Sequence, residues 1–246
     1  MKVAGFVVNY NMPERTDALV EAIQASVQQD CDLYVIDNGS DLVEHSQYSN
    51  VLIKPNCQTT GGWLAGLQAA DKSGVDYGAY WFLITSAEMD GKEDPLTPLV
   101  ELLEADPQSV GVHPALTKDS TTAWKHMITR RGDKPRQTWM IDNIASLWRA
   151  EWFDANGRFD PALKYGWGID LETCWIARQQ GRSLWLHEGC RVKKVTDIGY
   201  TMGRMRMSAQ ARAGLAGENM REVLSARYGH DWWERMLNEN VEAEWR

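Results

Sequence analysis

The 246-residue chain contains no apolar run of 18 residues, the length a membrane-spanning helix requires. Its opening stretch, MKVAGFVVNYN, is apolar over too short a span for a secretory leader and leads directly into turn chemistry, so it reads as a first strand. Cysteine is scarce. Cys31, Cys57, Cys174 and Cys190 stand far apart without a C-x-x-C pair, which argues against a zinc site or disulfide framework and for a reducing, cytoplasmic setting. Internal repeats, low-complexity tracts and a clear linker are absent. Basic residues are outnumbered 26 to 34, and the net charge of −8 argues against bulk nucleic-acid binding. The deficit is uneven: eight Lys and Arg face three acids between Cys190 and His230, giving +5 there and −13 elsewhere. Such a segment is either a solvated helical face or a contact for a local anion such as a phosphate. What remains, 43% apolar and 24% charged, describes a globular chain of one large α/β domain or two small ones.

The apolar pattern alternates between the two periods. Short runs at Val3–Val8, Leu33–Ile36, Val51–Ile53, Tyr80–Ile84 and Val110–His113 predict strands. Helical spacing predicts helices over 14–28, 61–70 and 95–105. This is the signature of βαβ units and a mostly parallel sheet, in which ligands bind at the carboxyl ends of the strands. Three polar clusters fall at such ends: Asn9-Tyr10-Asn11, Asp37-Asn38-Gly39-Ser40 and Thr85-Ser86-Ala87-Glu88. The second half is less regular. Trp139–Trp148 reads as a strand followed by Arg149, 169–180 as a helix, Leu184–Leu186 and Cys190–Val195 as two strands, and 208–240 as helix broken at Tyr228-Gly229-His230.

Six segments in order resemble the family 2 glycosyltransferases, inverting enzymes of the GT-A fold. They are VVNYN (7–11), VIDNGS (35–40), PNCQTTGGWLAG (55–66), YWFLITSAE (80–88), NGRFDPALKYGWGIDLE (156–172) and CRVKKV (190–195). The resemblance implies a GT-A domain over 1–200, with a nucleotide-sugar half at 1–115 and an acceptor half at 116–200. A helical extension follows at 201–246. Tyr10, Asn11 and Asp37 are then expected around the nucleotide base, although Asp-Asn-Gly is also an ordinary turn. Asn56 and Gly61-Gly62 match a donor-side element, where the glycines serve either close donor approach or helix–sheet packing.

The chain departs from the family where the metal-binding Asp-x-Asp is expected. Thr85-Ser86-Ala87 stands there, with Glu88 as the nearest carboxylate, and Lys194 occupies a position where some relatives carry a metal-ligating His. Hydroxyls are poor substitutes for carboxylates on a hard cation. The expected consequence is a donor site that requires no cofactor, with Ser86, Lys194, Arg204 and Arg206 around the diphosphate and Lys194 and the arginines neutralising it. The alternative is Mg²⁺ or Mn²⁺, with Glu88 or Asp90 as ligand. In Gly166-Trp167-Gly168-Ile169-Asp170, Asp170 is the expected general base, or the N-cap of a helix starting near Leu171, or both; Glu172 is the second choice. Trp167 and Asp142 are the expected acceptor contacts, while most of the twelve Trp belong to the core.

The function so implied is an inverting transfer of a hexosyl or pentosyl group from a nucleotide-sugar, with UDP expected, to the hydroxyl of a glycan or other acceptor. The acidic position keeps open a non-catalytic protein that binds sugar-nucleotides or glycans. The basic segment keeps open a nucleic-acid acceptor, such as a modified nucleobase in DNA. A nucleotidyltransferase ranks last, because no Gly-rich basic loop follows the first strand.

Overall fold

The computed structural model describes residues 1–130, 132–196, 199 and 203–238. Strands β1 (Val3–Asn9), β2 (Cys31–Asn38), β3 (Val51–Ile53) and β4 (Ala79–Ile84) arise from the four apolar runs of the first half. Helices α1 (Pro13–Ser26) and α2 (Gln58–Ser73) connect them. Pro13 opens α1, where its missing N–H would have no helical partner. After β5 (Ala87–Glu88) come α3 (Thr97–Ala105), β6 (Ser109–Leu116), β7 (Arg136–Thr138), β8 (Ala145–Arg149), α4 (Ala150–Ala155), α5 (Ile169–Gln179) and β9 (Ser183–Lys194). Helices α6 (Ala209–Tyr228) and α7 (Trp232–Asn238) complete the described chain.

One nine-stranded sheet runs in the order β3-β2-β1-β4-β8-β6-β9-β5, with β7 paired to β9. β3, β2, β1 and β4 are mutually parallel, and β6 is parallel to β9. β8 is antiparallel to both β4 and β6, so those two groups point the same way. The sheet is therefore mixed. β5 and β7 also run against the majority, each as a short edge piece on β9.

The core has an aromatic part packed against α2 and an aliphatic part that α1 and α3 contribute through Leu19, Ile23, Leu99 and Leu103. Phe82 sits 4.6 Å from Phe159, 5.3 Å from Phe6 and 5.3 Å from Phe153, ring centre to ring centre. Each fully buried ring of this kind contributes roughly 1.5–3 kcal/mol. Helix α2 approaches the sheet closely because Gly62 and Gly66 face it. A Cβ on Gly62 would lie 2.8 Å from Val8 Cγ1, and one on Gly66 2.8 Å from Phe6 Cδ1. Gly62 is thus a packing residue, the second of its two sequence readings.

Several boundaries move. The strand expected over Trp139–Trp148 begins only at Ala145; residues 139–144 form a loop that carries Asp142. The two expected strands 184–186 and 190–195 are one strand, β9. His187-Glu188-Gly189 reads as a polar break, yet the ladder with β6 resumes across it, from Pro114↔His187 to Ala115↔Arg191. The polar residue there is paired rather than solvated: buried Glu188 accepts from the Thr129 hydroxyl, the Arg130 backbone N–H and Arg136. The C-terminal helix does break at Gly229, and the expected continuation over 239–240 lies outside the described residues, as do 201–202 and 241–246. Helix α6 is tied back to the body, since Arg227 pairs with Asp160 and Glu172 and the Tyr228 hydroxyl donates to Glu172. Trp232 and Met236 of α7 are buried, whereas Trp233 is exposed.

Candidate functional site

At the carboxyl ends of β1, β2 and β4 the chain leaves a cleft of about 1200 Å³. Four of the residues selected from sequence line it: Tyr10, Asn56, Ser86 and Arg206. Met12, Thr85, Ser86, Met205 and Arg212 are shared with a second recess of about 440 Å³, which adds Trp167 and Lys194. The three polar strand ends thus meet at one edge of the sheet, as the βαβ pattern requires.

Asn11 and Asp37 take part in a different way from the one their family positions suggested. Asn11 is buried at φ +55°, and its side-chain oxygen accepts from the N–H groups of Asp41 and Leu42 at 2.9 and 3.1 Å. Its amide donates to Asp41 and to the Arg204 carbonyl. The Asp37 carboxylate accepts from Asn9 Nδ2 at 3.1 Å and from the Ser40 N–H at 2.9 Å, and the residue is 3% exposed. Both therefore brace the loops behind the cleft wall, and neither lines the cleft. The reason is burial: both side chains are committed to hydrogen bonds within the loops.

The cations divide into two groups. Arg204 is held by Glu14, and Arg206 by Asp41 at 2.6 Å; Lys193 is held by Asp119 at 2.7 Å. Of these, Arg206 alone lines the cleft. Lys194 lies deeper, with Nζ 3.1 Å from Asp142 Oδ2, and it lines the recess. Arg212, on the first turn of α6, lines both spaces. Its guanidinium donates to Gln58 Oε1 and Thr59 Oγ1 at 3.1 and 2.9 Å and sits 5.5 Å from the Tyr165 ring centre. Sequence reasoning counted Arg212 in the basic segment but did not single it out. Nothing local distinguishes it from its neighbours; only the docking of α6 brings it to the cleft.

The residues at the position of the acidic motif do not fit a hard divalent cation. Thr85 and Ser86 offer hydroxyls, and the half-exposed Glu88 lies 3.5 Å from Arg15. Among the described residues no group of three or more His, Cys, Asp or Glu is placed to share a metal ion. β5 then pairs Ala87 with Lys194 and Glu88 with Lys193, so the position opposite this segment carries cations.

Asp170 occupies the first turn of α5, but not its cap. The helix starts at Ile169, as its apolar spacing predicted and two residues before the Leu171 start that an Asp170 cap would require, and Gly168 is the capping residue at φ +89°. Asp170 Oδ1 accepts from the Leu171 N–H at 2.9 Å. The carboxyl is 9% exposed, and burial, reinforced by the nearby Asp142 charge, pushes its pKa up to about 7 against the opposing pull of Lys194. Asp142, Lys194 and Asp170 thus form one electrostatic unit. Trp167, which precedes the cap, is 48% exposed in the recess wall. The left-handed Gly166 and Gly168 on either side of it pack against Thr59 and Met220, where a Cβ would lie 3.0 and 2.8 Å from the nearest atoms. Glu172 faces the other way, into the Arg227–Tyr228 clamp, and is not available as a base.

No sequence-family model matches the chain, and no curated protein is similar to it in sequence. Solved structures do share its fold. The chain is similar to S. aureus TarS (TM-score 0.62, 12% identity, covering 99% of this chain and 44% of TarS). It is similar to GalNAc-T7, solved with UDP, GalNAc and Mn²⁺ (TM-score 0.61, 13% identity, covering 79% of this chain and 44% of that one). The mannosyltransferase PcManGT from Pyrobaculum calidifontis, solved with GDP-Man and Mn²⁺, aligns at TM-score 0.59 and 12% identity over 98% of this chain and 75% of that one. The chain therefore has the GT-A fold of these glycosyltransferases, and it spans less than half the length of TarS and GalNAc-T7.

Proposed function

We propose that the chain is an inverting glycosyltransferase that uses a nucleotide-diphosphate sugar. The observation that carries this reading is Lys194, which joins the recess wall to the Asp142–Asp170 carboxylate pair. The nucleotide lies in the larger cleft over Tyr10 and beside Asn56. Its diphosphate lies at Ser86, between Lys194 and Arg212. The acceptor enters through the recess beside Trp167.

In the reaction the acceptor hydroxyl oxygen attacks the anomeric carbon from the side opposite the diphosphate. The bond from that carbon to the diphosphate oxygen breaks, and the hydroxyl proton passes to Asp170. A carboxylate titrating near 7 is matched to that task at neutral pH. The negative charge that develops on the departing diphosphate meets the Lys194 ammonium and the Arg212 guanidinium, preorganised donors in place of a divalent ion. UDP-sugars are the donors expected from the resemblance.

The test is nucleotide release from a panel of UDP- and GDP-sugars, with and without excess chelator. Chelator-resistant turnover supports the reading, and strict dependence on Mn²⁺ or Mg²⁺ refutes its cation assignment. The hydroxyl-bearing Thr85-Ser86 segment also favours a second reading, a protein that binds nucleotide-sugars without transfer. Thermal stabilisation by donor with no nucleotide release across acceptors would select it. Among the described residues no helix is long and apolar enough to cross a membrane.

A further inference from the structure

A third cavity, of about 490 Å³, lies beyond the carboxyl end of β6, lined by Thr117, Lys118, Thr129, Arg130, Gly132 and Arg191. Its charge is unusual for this chain. Residues 117–138 carry six Lys and Arg against two Asp, a local +4 in a chain of −8. Arg131, one of the six, lies outside the described residues. Two of the six, Lys118 and Arg130, converge on the cavity, and Arg191 of β9 joins them. Among the described residues the Lys118 and Arg130 side chains have no ion pair. Arg191 donates to Asp133 at 3.0 Å, but that carboxylate is 84% exposed, and an exposed pair of this kind is worth little. The neighbouring acids are otherwise engaged: Asp119 with Lys193, and Glu188 with Arg136, Thr129 and the Arg130 N–H. Two uncommitted cations and one displaceable one around a cavity form an anion site.

Its position relates it to the transfer site. β6 points the same way as β4, because β8 is antiparallel to both, so the cavity beyond its carboxyl end sits at the same sheet edge as the donor cleft. Arg191 is three residues before Lys194 on β9, about 10 Å along the strand and facing the other side. We propose that this cavity binds a phosphate group of the acceptor, which makes the acceptor a phosphorylated molecule longer than a single sugar. The inference rests on the transferase reading for the word acceptor, but the binding site itself does not. A phosphate monoester offers three charged or unesterified oxygens and a diester two to the two guanidinium forks and one ammonium, which matches the donor set. A monoester and a diester share this chemistry.

The experiment is calorimetric titration of the full chain with glycerol 3-phosphate as monoester, the dinucleotide thymidylyl-thymidine as diester, and glycerol as the uncharged control. UDP is titrated separately. Saturable binding of one phosphate ester, absent for glycerol, is expected. Lys118→Ala/Arg130→Ala should weaken it at least about tenfold, the loss of one charge-assisted contact, while UDP binding stays unchanged. Asp133→Asn should strengthen it by releasing Arg191. Whichever ester binds identifies the source. Failure of both esters to bind, or binding unaffected by the double substitution, overturns the proposal without touching the donor site. Loss of UDP binding in the unsubstituted chain would instead count against the transferase reading.

Discussion

Replacing Asp170 with Asn separates a catalytic carboxylate from a structural one. The ionised form of Asp170 is penalised in the native state, chiefly by burial and then by Asp142. Its pKa moves from 3.8 to about 7, which corresponds to about 4 kcal/mol against the folded anion. The sign follows from proton counting. Between 3.8 and about 7 the native state holds a proton that the unfolded chain has lost, so stability falls as pH rises through this window and is lower by the full amount above it. Asp170→Asn removes the penalty while keeping an oxygen for the Leu171 N–H. In urea titrations at pH 8.5 the variant should be more stable than the parent by up to about 4 kcal/mol, and at pH 5 less than about half of that gain should remain. Turnover should fall by about 10²–10⁴, the usual share of a general base, with donor binding retained. The parent's rate should rise with pH through about 7. A variant that is less stable at pH 8.5, or that turns over near-normally, would refute the assignment.

Other outcomes follow from the same geometry. Lys194→Ala removes the cation that opposes the rise in the Asp170 pKa, so the residual rate should have its acid limb displaced to higher pH as well as a lower kcat. Arg212→Ala should weaken UDP binding about tenfold or more by calorimetry, whereas Arg204→Ala, whose partner is Glu14 away from the cleft lining, should change it little. Gly168→Ala places a Cβ 2.8 Å from Met220 at a left-handed backbone position and should cost at least about 1–2 kcal/mol in denaturant melts, lowering kcat as Asp170 shifts. Arg227→Ala unclamps α6 from Asp160 and Glu172, and should reduce UDP affinity through Arg212 with no change at the transferring carboxylate.

Much of this site is legible in the amino-acid order because local periodicity and turn chemistry decide it. Apolar runs of strand length place the first four strands, and three of them end in Asn9, Asp37 and Thr85, polar ends that the parallel sheet brings to one edge. The Gly-Trp-Gly segment likewise announces a tight backbone at Asp170. The edges of that legibility are equally physical. A buried, ion-paired Glu188 looks like a solvated turn in sequence, so one long strand reads as two. Tyr10 and Asn11 are neighbours, yet only the fold turns one toward the cleft and commits the other to Asp41 and Leu42. Which of the basic residues near the C-terminus meets the cleft depends on how α6 docks, more than a hundred residues beyond the strands whose ends form that cleft, and periodicity carries no information over that distance. Chain order fixed the strand ends, the missing acidic pair and the candidate base. Tertiary packing alone brought Asp142, Lys194 and Asp170 together, because their mutual charge exists only once a loop, a strand and a helix from different parts of the chain share one buried volume.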